Sequence, residues 1–132
     1  MLGNCEFFVM KCWLSLHIFY FDNLDTLLLD CIEPLVIELN NKNLIERYFF
    51  IRYWEGGPHI RLRLFGDKDI LFKVVRQSAE QYIYNFLSQV PSTTKIEERD
   101  ILPILEEYQF LERGENKNTK PLYQNNSIEV IE

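Results

Sequence analysis

Apolar residues along this chain recur with two different periods, and the switches between them divide the sequence into elements. From Trp13 to Phe21 the run Trp-Leu-Ser-Leu-His-Ile-Phe-Tyr-Phe is aromatic and apolar, with Ser15 and His17 two apart, which predicts a strand. Leu14, Leu16, Ile18 and Tyr20 then share one face, and Trp13, Ser15, His17, Phe19 and Phe21 the other. Asp22 and Asn23 offer N-caps for a helix. Leu24, Leu27, Leu28, Cys31, Ile32, Leu35, Val36 and Leu39 follow at helical spacing as one apolar stripe. Pro34 inside that stripe predicts a kink or a division, and the run Asn40-Asn41-Lys42-Asn43 ends the helix.

Period two returns in Tyr48 to Trp54 and in His59 to Phe65. Glu55-Gly56-Gly57-Pro58 lies between them as turn chemistry, since glycine tolerates positive φ and proline fixes the exit. The two runs predict a central β-hairpin. Asp67 or Asp69 caps a second helix carrying Leu71, Val74, Val75, Tyr82, Phe86 and Val90, which Pro91-Ser92-Thr93-Thr94 stops. A shorter helix is expected from Glu97 to Phe110, a polar loop from Glu112 to Asn126, and a last strand from Ser127. Residues 1–10 show no clear period, and residues 1–12 are expected as an N-terminal segment. The order β-α-β-β-α-(α)-β predicts an α+β fold of the ferredoxin-like, split-βαβ kind, an antiparallel sheet with helices on one face.

The chain has 132 residues, 47% of them hydrophobic and 14% aromatic, which suits one folded domain. A net charge of -6 argues against a general nucleic-acid binder. Cys5, Cys12 and Cys31 form no CxxC pair, so neither a disulfide framework nor a zinc site is expected. Cys31 reads as a small buried hydrophobe, and the cytoplasm is the simplest compartment. The apolar stretch Phe7 to Phe21 contains Lys11, Ser15 and His17 and is too short to span a bilayer.

The pleat decides which side chains travel together. In the second hairpin strand Ile60, Leu62 and Leu64 point toward the helices, and His59, Arg61 and Arg63 point away. In the first, Phe49, Ile51 and Tyr53 are expected buried, leaving Tyr48, Phe50, Arg52 and Trp54 open. The open face would thus gather His17, Arg52, His59, Arg61 and Arg63 among Trp13, Phe50 and Trp54. Arginine forks match carboxylate or phosphate in two-point contact, and an apolar surround strengthens it. Arginines are also ordinary on a strand facing water. The aromatics favour a face covered by a ligand, a second copy or another domain. With two histidines and no HxxxH or Cys/His spacing, no metal site is expected, and no cofactor. The pairs Glu97-Glu98 and Glu106-Glu107 read as solvated helix faces.

Trp13-x-Ser-x-His-x-Phe-Tyr-Phe, Pro34-Leu35-Val36 and above all Tyr48 through Arg63 (YFFIRYWEGGPHIRLR) resemble one known pattern. The chain is similar to the thiopeptide-type bacteriocin biosynthesis domain, the C-terminal elimination domain of lantibiotic dehydratases, most closely from Trp13 to Val90. In that family a separate domain glutamylates Ser and Thr of a precursor peptide, and the elimination domain expels glutamate to leave dehydroamino acids. Thiopeptide relatives use the fold for elimination or for forming a nitrogen heterocycle.

The resemblance implies a lyase-type glutamate elimination. His59 and Arg52 are expected as catalytic residues, and Arg61, Arg63, His17 and Trp54 as substrate-binding. It implies a precursor peptide and a glutamylating dehydratase subunit as partners, in a homo-oligomer or a larger complex, with no membrane and no direct nucleic-acid contact. Family members continue past this point with an arginine-tyrosine-glycine-glycine segment, so residues 13–132 are expected to form part of an elimination domain. The alternative is a non-catalytic module that binds a peptide or assembles a complex. An RNA-recognition sheet shares the βαββαβ order, but the third strand lacks its aromatic signature and the net charge is wrong.

Overall fold

The computed structural model describes residues 9–96 and 122–131. Along them the chain forms β1 (Lys11–Phe19), α1 (Leu24–Leu27), α2 (Glu33–Asn41), β2 (Arg47–Tyr53), β3 (His59–Asp67), α3 (Lys68–Ile70), α4 (Arg76–Gln89) and β4 (Ser127–Ile131). The wider π turns Leu28–Ile32 and Leu71–Val75 join α1 to α2 and α3 to α4, so two long helices run over 24–41 and 68–89. The strand order is β2-β3-β1-β4, with every pair antiparallel. This is the split-βαβ, ferredoxin-like arrangement that the element order implies. The expected helix from Glu97 and most of the loop before Ser127 lie outside the described residues.

Alternation builds the core. Leu14, Leu16 and Ile18 of β1 pair with Leu64, Leu62 and Ile60 of β3, and all six are fully buried. They meet Leu27, Cys31, Leu35 and Leu39 of the first long helix and Leu71, Val75, Ala79, Ile83 and Leu87 of the second. Those last five recur every four residues and so stack on one helical face. Val74 and Val90, expected on that stripe, are 44% exposed and belong to its edge. Each fully buried aliphatic side chain contributes about 1.5–3 kcal/mol. Cys31 behaves as the small hydrophobe expected, and burial pushes its thiol up to about 12.

Local signals set the helix starts. Asn23 Oδ1 accepts from the Asp25 N–H at 2.9 Å, and Asp67 Oδ1 from Asp69 and Ile70 at 2.8 and 3.3 Å. Asp67, not Asp69, is therefore the second cap. The division expected at Pro34 takes the form of the π turn just before it. There the Glu33 N–H reaches back to the Leu28 carbonyl, and Pro34 falls in the first turn of α2, where a missing N–H costs nothing.

The hairpin differs from expectation in two ways. It is not central as a unit: β3 lies inside the sheet beside β1, and β2 is an edge strand. The turn is also one residue longer than Glu55 to Pro58, because Tyr53, not Trp54, pairs with His59 and the Gly57 N–H bonds the Trp54 carbonyl at 2.9 Å. One residue of slip moves every side chain to the opposite face. Tyr48, Phe50 and Arg52 therefore face the helix side, and Phe49, Ile51 and Tyr53 face the open side. The strand Lys11–Phe19 also begins two residues before Trp13.

Gly57 makes the turn possible. Its φ is +115°, and a Cβ there would lie 2.5 Å from the Phe21 ring. Gly57→Ala should destabilise the fold by about 1–3 kcal/mol in urea titration. Gly66→Ala, whose Cβ would meet nothing closer than the Leu44 carbonyl at 3.5 Å, should change stability by less than about 1 kcal/mol. Equal midpoints for the two variants would contradict this view of the turn.

Candidate functional site

The open face of the sheet is a grid of four rows running from β2 to β4. The first is Arg47, Phe65 and Trp13; the second Phe49, Arg63, Ser15 and Ile131. The third is Ile51, Arg61, His17 and Glu129, and the fourth Tyr53, His59, Phe19 and Ser127. His59, Arg61 and Arg63 thus form a column in β3, flanked by aromatic and aliphatic neighbours on β2 and by Ser15 and His17 on β1. The placement of His59, Arg61, Arg63 and His17 on one face agrees with the pleat expected for β3 and β1.

His59 is at the deep end of this column. Although on the open face, it is fully buried: Phe19, His17 and Tyr53 stand around its ring at centroid distances of 4.3, 5.4 and 5.9 Å, and Tyr123 packs in turn on Phe19 at 4.6 Å. Tyr123 arrives from the segment before β4, anchored by its N–H to the Gly56 carbonyl at 2.7 Å. Nδ1 of His59 sits 2.8 Å from the Gly57 carbonyl, and the Arg61 Nε–H donates to Nε2 at 3.0 Å. Those partners require a neutral ring protonated on Nδ1. Burial drives the histidine pKa down to about 4; the Gly57 carbonyl opposes that shift and the neighbouring Arg61 charge adds to it. The ring is therefore neutral at pH 7. Its ring is a buried prop for Arg61.

Arg61 is held on two sides. Its Nε is committed to His59, and its guanidinium stacks 3.8 Å over the Tyr53 ring. Among the described residues the two terminal amino groups, with four N–H donors, are the part of the fork left for another acceptor. Arg63 lies one row up, 5.8 Å from the centre of the Phe49 ring. Its Nε is buried and has no hydrogen-bond partner among the described residues. A buried donor left unpaired costs about 1–3 kcal/mol, so the position favours an incoming acceptor. His17 stacks on His59 at 5.4 Å and stands between Arg61 and Glu129 in its row.

Arg52 and Trp54 are not part of this face. Arg52 pairs with Asp25 of α1 on the helix side, and with Trp54 it lines a separate cleft of about 320 Å³ beside Phe21, Leu24 and Pro58. The expected aromatic surround is likewise redistributed. Trp13 remains on the open face, against Phe49 at 5.2 Å and Phe65 at 4.9 Å, whereas Phe50 and Trp54 do not. Tyr53, Phe49 and Phe19 take their place. Tyr53 carried a usable signal, since a five-residue turn forces it opposite His59; Tyr123 carried none. Among the described residues no group of three or more His, Cys, Asp or Glu could hold a metal, and no helix is long and apolar enough to cross a membrane.

A family described as lantibiotic biosynthesis dehydratase, C-terminal, matches residues 13–126. The solved pyridine synthase of thiomuracin biosynthesis superposes with a TM-score of 0.79 at 27% sequence identity, over 90% of this chain and 38% of that one. The chain thus spans well under half the length of that structural relative. No curated protein matches by sequence.

The neutral, buried state of His59 leaves a pH signature. In the unfolded chain this ring titrates at the ordinary 6.5, in the folded one at about 4. Unfolded protein therefore binds more protons between those values, and its contribution to stability is present above pH 6.5 and lost as pH falls toward 4. The loss should reach a few kcal/mol, about 1.4 per unit. Urea midpoints measured from pH 7.5 to 4 should fall less steeply for His59→Gln than for the native chain. Parallel curves would mean the ring is not buried neutral.

Proposed function

The chain belongs to the lantibiotic biosynthesis dehydratase C-terminal family, and on that premise we propose that its open sheet face binds the glutamyl ester of a precursor peptide and assists elimination of glutamate. The observation that carries the proposal is the pair of arginines in β3. Arg61 is aimed by His59 and Tyr53, and Arg63 has a buried Nε with no partner among the described residues, on a face lined by Phe49, Ile51 and Trp13. Two adjacent forks in an apolar setting suit carboxylate oxygens, and their contacts gain strength as water leaves. The pyridine synthase with the same fold also acts in a modified-peptide pathway, which supports a peptide as the ligand.

In such an elimination a base takes the proton from Cα of the glutamylated residue. Its electrons form the Cα=Cβ double bond, the Cβ–O bond breaks, and glutamate leaves with the electron pair as a carboxylate. Arg61 and Arg63 would hold that developing negative charge. His59 acts one step removed, as a positioning residue that fixes the direction of Arg61. His17, in the same row as Arg61, would stand beside the leaving group. A precursor peptide and a glutamylating dehydratase subunit are the partners this reading requires.

A second reading rests on His59. With both ring nitrogens engaged and its pKa near 4, it supplies no proton exchange at neutral pH, which favours a module that holds the peptide while a partner provides the base.

The two arginine assignments are separable by mutation. Arg61→Ala and Arg63→Ala should each remove a charge-assisted contact of about 1.5–3 kcal/mol, roughly ten- to a hundred-fold in affinity for a glutamylated peptide or in its turnover. Arg61→Lys should also lose most of the effect, because a point charge cannot reproduce the fork. Arg52→Ala, on the opposite face, should leave binding within about twofold. Glutamate release followed by mass spectrometry, with the dehydratase partner present, distinguishes turnover from holding. Binding that survives both Arg61→Ala and Arg63→Ala would defeat the proposal.

A further inference from the structure

The edge strand β2 is apolar on both faces and exposed along its length. Tyr48, Phe49, Phe50 and Ile51 are 46, 39, 45 and 43% exposed. On the helix side its residues line an open groove of about 350 Å³ with Leu29 and Ile37, themselves 62 and 50% exposed. Such an edge is a template for another strand.

Its backbone can be oriented from the ladder. The Tyr20 N–H bonds the Pro58 carbonyl, so even-numbered residues of β3 turn their backbone groups to β1 and odd-numbered ones to β2. Phe49, Ile51 and Tyr53 therefore bond β3, and the N–H and C=O groups of Tyr48, Phe50 and Arg52 point outward. Among the described residues none of these outward groups has a partner strand, because β2 ends the sheet.

The sequence of β2, Arg-Tyr-Phe-Phe-Ile-Arg-Tyr, is complementary to its own reverse about Phe50. In an antiparallel pair of identical strands centred there, Arg47 meets Tyr53, Tyr48 meets Arg52, Phe49 meets Ile51, and Phe50 meets itself. Each arginine faces an aromatic ring, each apolar residue an apolar one, and no like charges stand opposite. This register also pairs all seven residues of the strand, which no shifted register does.

We propose that two copies of this chain associate through β2 about a two-fold axis at Phe50, joining two four-stranded sheets into one of eight strands. The contact is isologous, so it closes at two copies. Both arginine columns then lie on the same side of the continuous sheet, and the apolar groove of each copy is extended by the other's Tyr48 and Phe50. This inference does not depend on the elimination reading.

The test is sedimentation over a wide concentration range, with variants at a residue already exposed in the single chain. The native chain should sediment as a dimer. Phe50→Lys should weaken association at least tenfold while the far-ultraviolet circular dichroism stays unchanged. With Cys5 and Cys12 replaced by Ser, Phe50→Cys should cross-link on oxidation, since paired Cα atoms would be about 5.5 Å apart. Tyr48→Cys should not, since its two copies would be about 14 Å apart along the strands. A native monomer, a dimer indifferent to Phe50→Lys, or cross-linking at Tyr48→Cys and not at Phe50→Cys would overturn the proposal. So would a monomer whose β2 amides gain protection only when a peptide is added, which would assign the edge to peptide binding.

Discussion

The pairing of β3 with β1 is the constraint on which the rest of this structure depends. It sets Ile60, Leu62 and Leu64 against Ile18, Leu16 and Leu14, all at zero exposure, and so forces His59, Arg61 and Arg63 to the other side. A slip by one residue would expose three aliphatic side chains, at about 1.5–3 kcal/mol each. It would also bury two arginines, at several kcal/mol per unpaired charge. Among the described residues no surface ion pair competes on that scale; Lys11–Glu46 and Lys42–Glu38 are exposed and contribute at most about 1 kcal/mol each. The burial of one face therefore specifies the chemistry of the other.

Within that face, order comes from aromatic rings and not from charge pairs. Tyr53 supports the Arg61 guanidinium from one side, and His59 holds its Nε from the other. His59 is in turn fixed by the Gly57 carbonyl, which stands where it does because Gly57 adopts a φ of +115° beside the Phe21 ring. The direction of one arginine is thus connected to the turn chemistry of Gly56 and Gly57. In this arrangement both ring nitrogens of the histidine are engaged in holding position.

The alternation in β1 and β3 was legible because each strand separates apolar from polar residues cleanly. β2 was not, because Tyr48-Phe49-Phe50-Ile51 is apolar at both parities and no contrast marks the buried side. Its register then rests on turn length alone. Reading the turn as Glu55 to Pro58 puts Trp54 opposite His59 and brings Arg52 and Trp54 to the wrong face; the fifth turn residue reverses both. The burial of His59 was hidden for a different reason. Alternation predicts an open-face residue to be accessible, but Phe19 packs on the ring, and Tyr123, sixty-odd positions along the chain from His59, packs on Phe19. Family likeness was visible in the same hairpin whose register was misread, since a motif preserves residue order and says nothing of facing.

We propose that Arg61 and Arg63 form one anion-holding unit; Arg52 faces the helix side of the sheet. The direct measurement is a nuclear magnetic resonance titration of the arginine Nε–H signals with a synthetic peptide bearing a glutamyl ester of serine. The signals of Arg61 and Arg63 should shift together and saturate at one peptide concentration, with the Arg63 Nε–H, which has no partner among the described residues, moving farthest, while Arg52 stays in place. A shift at Arg52 that tracks peptide binding, with Arg61 and Arg63 unmoved, would contradict the account.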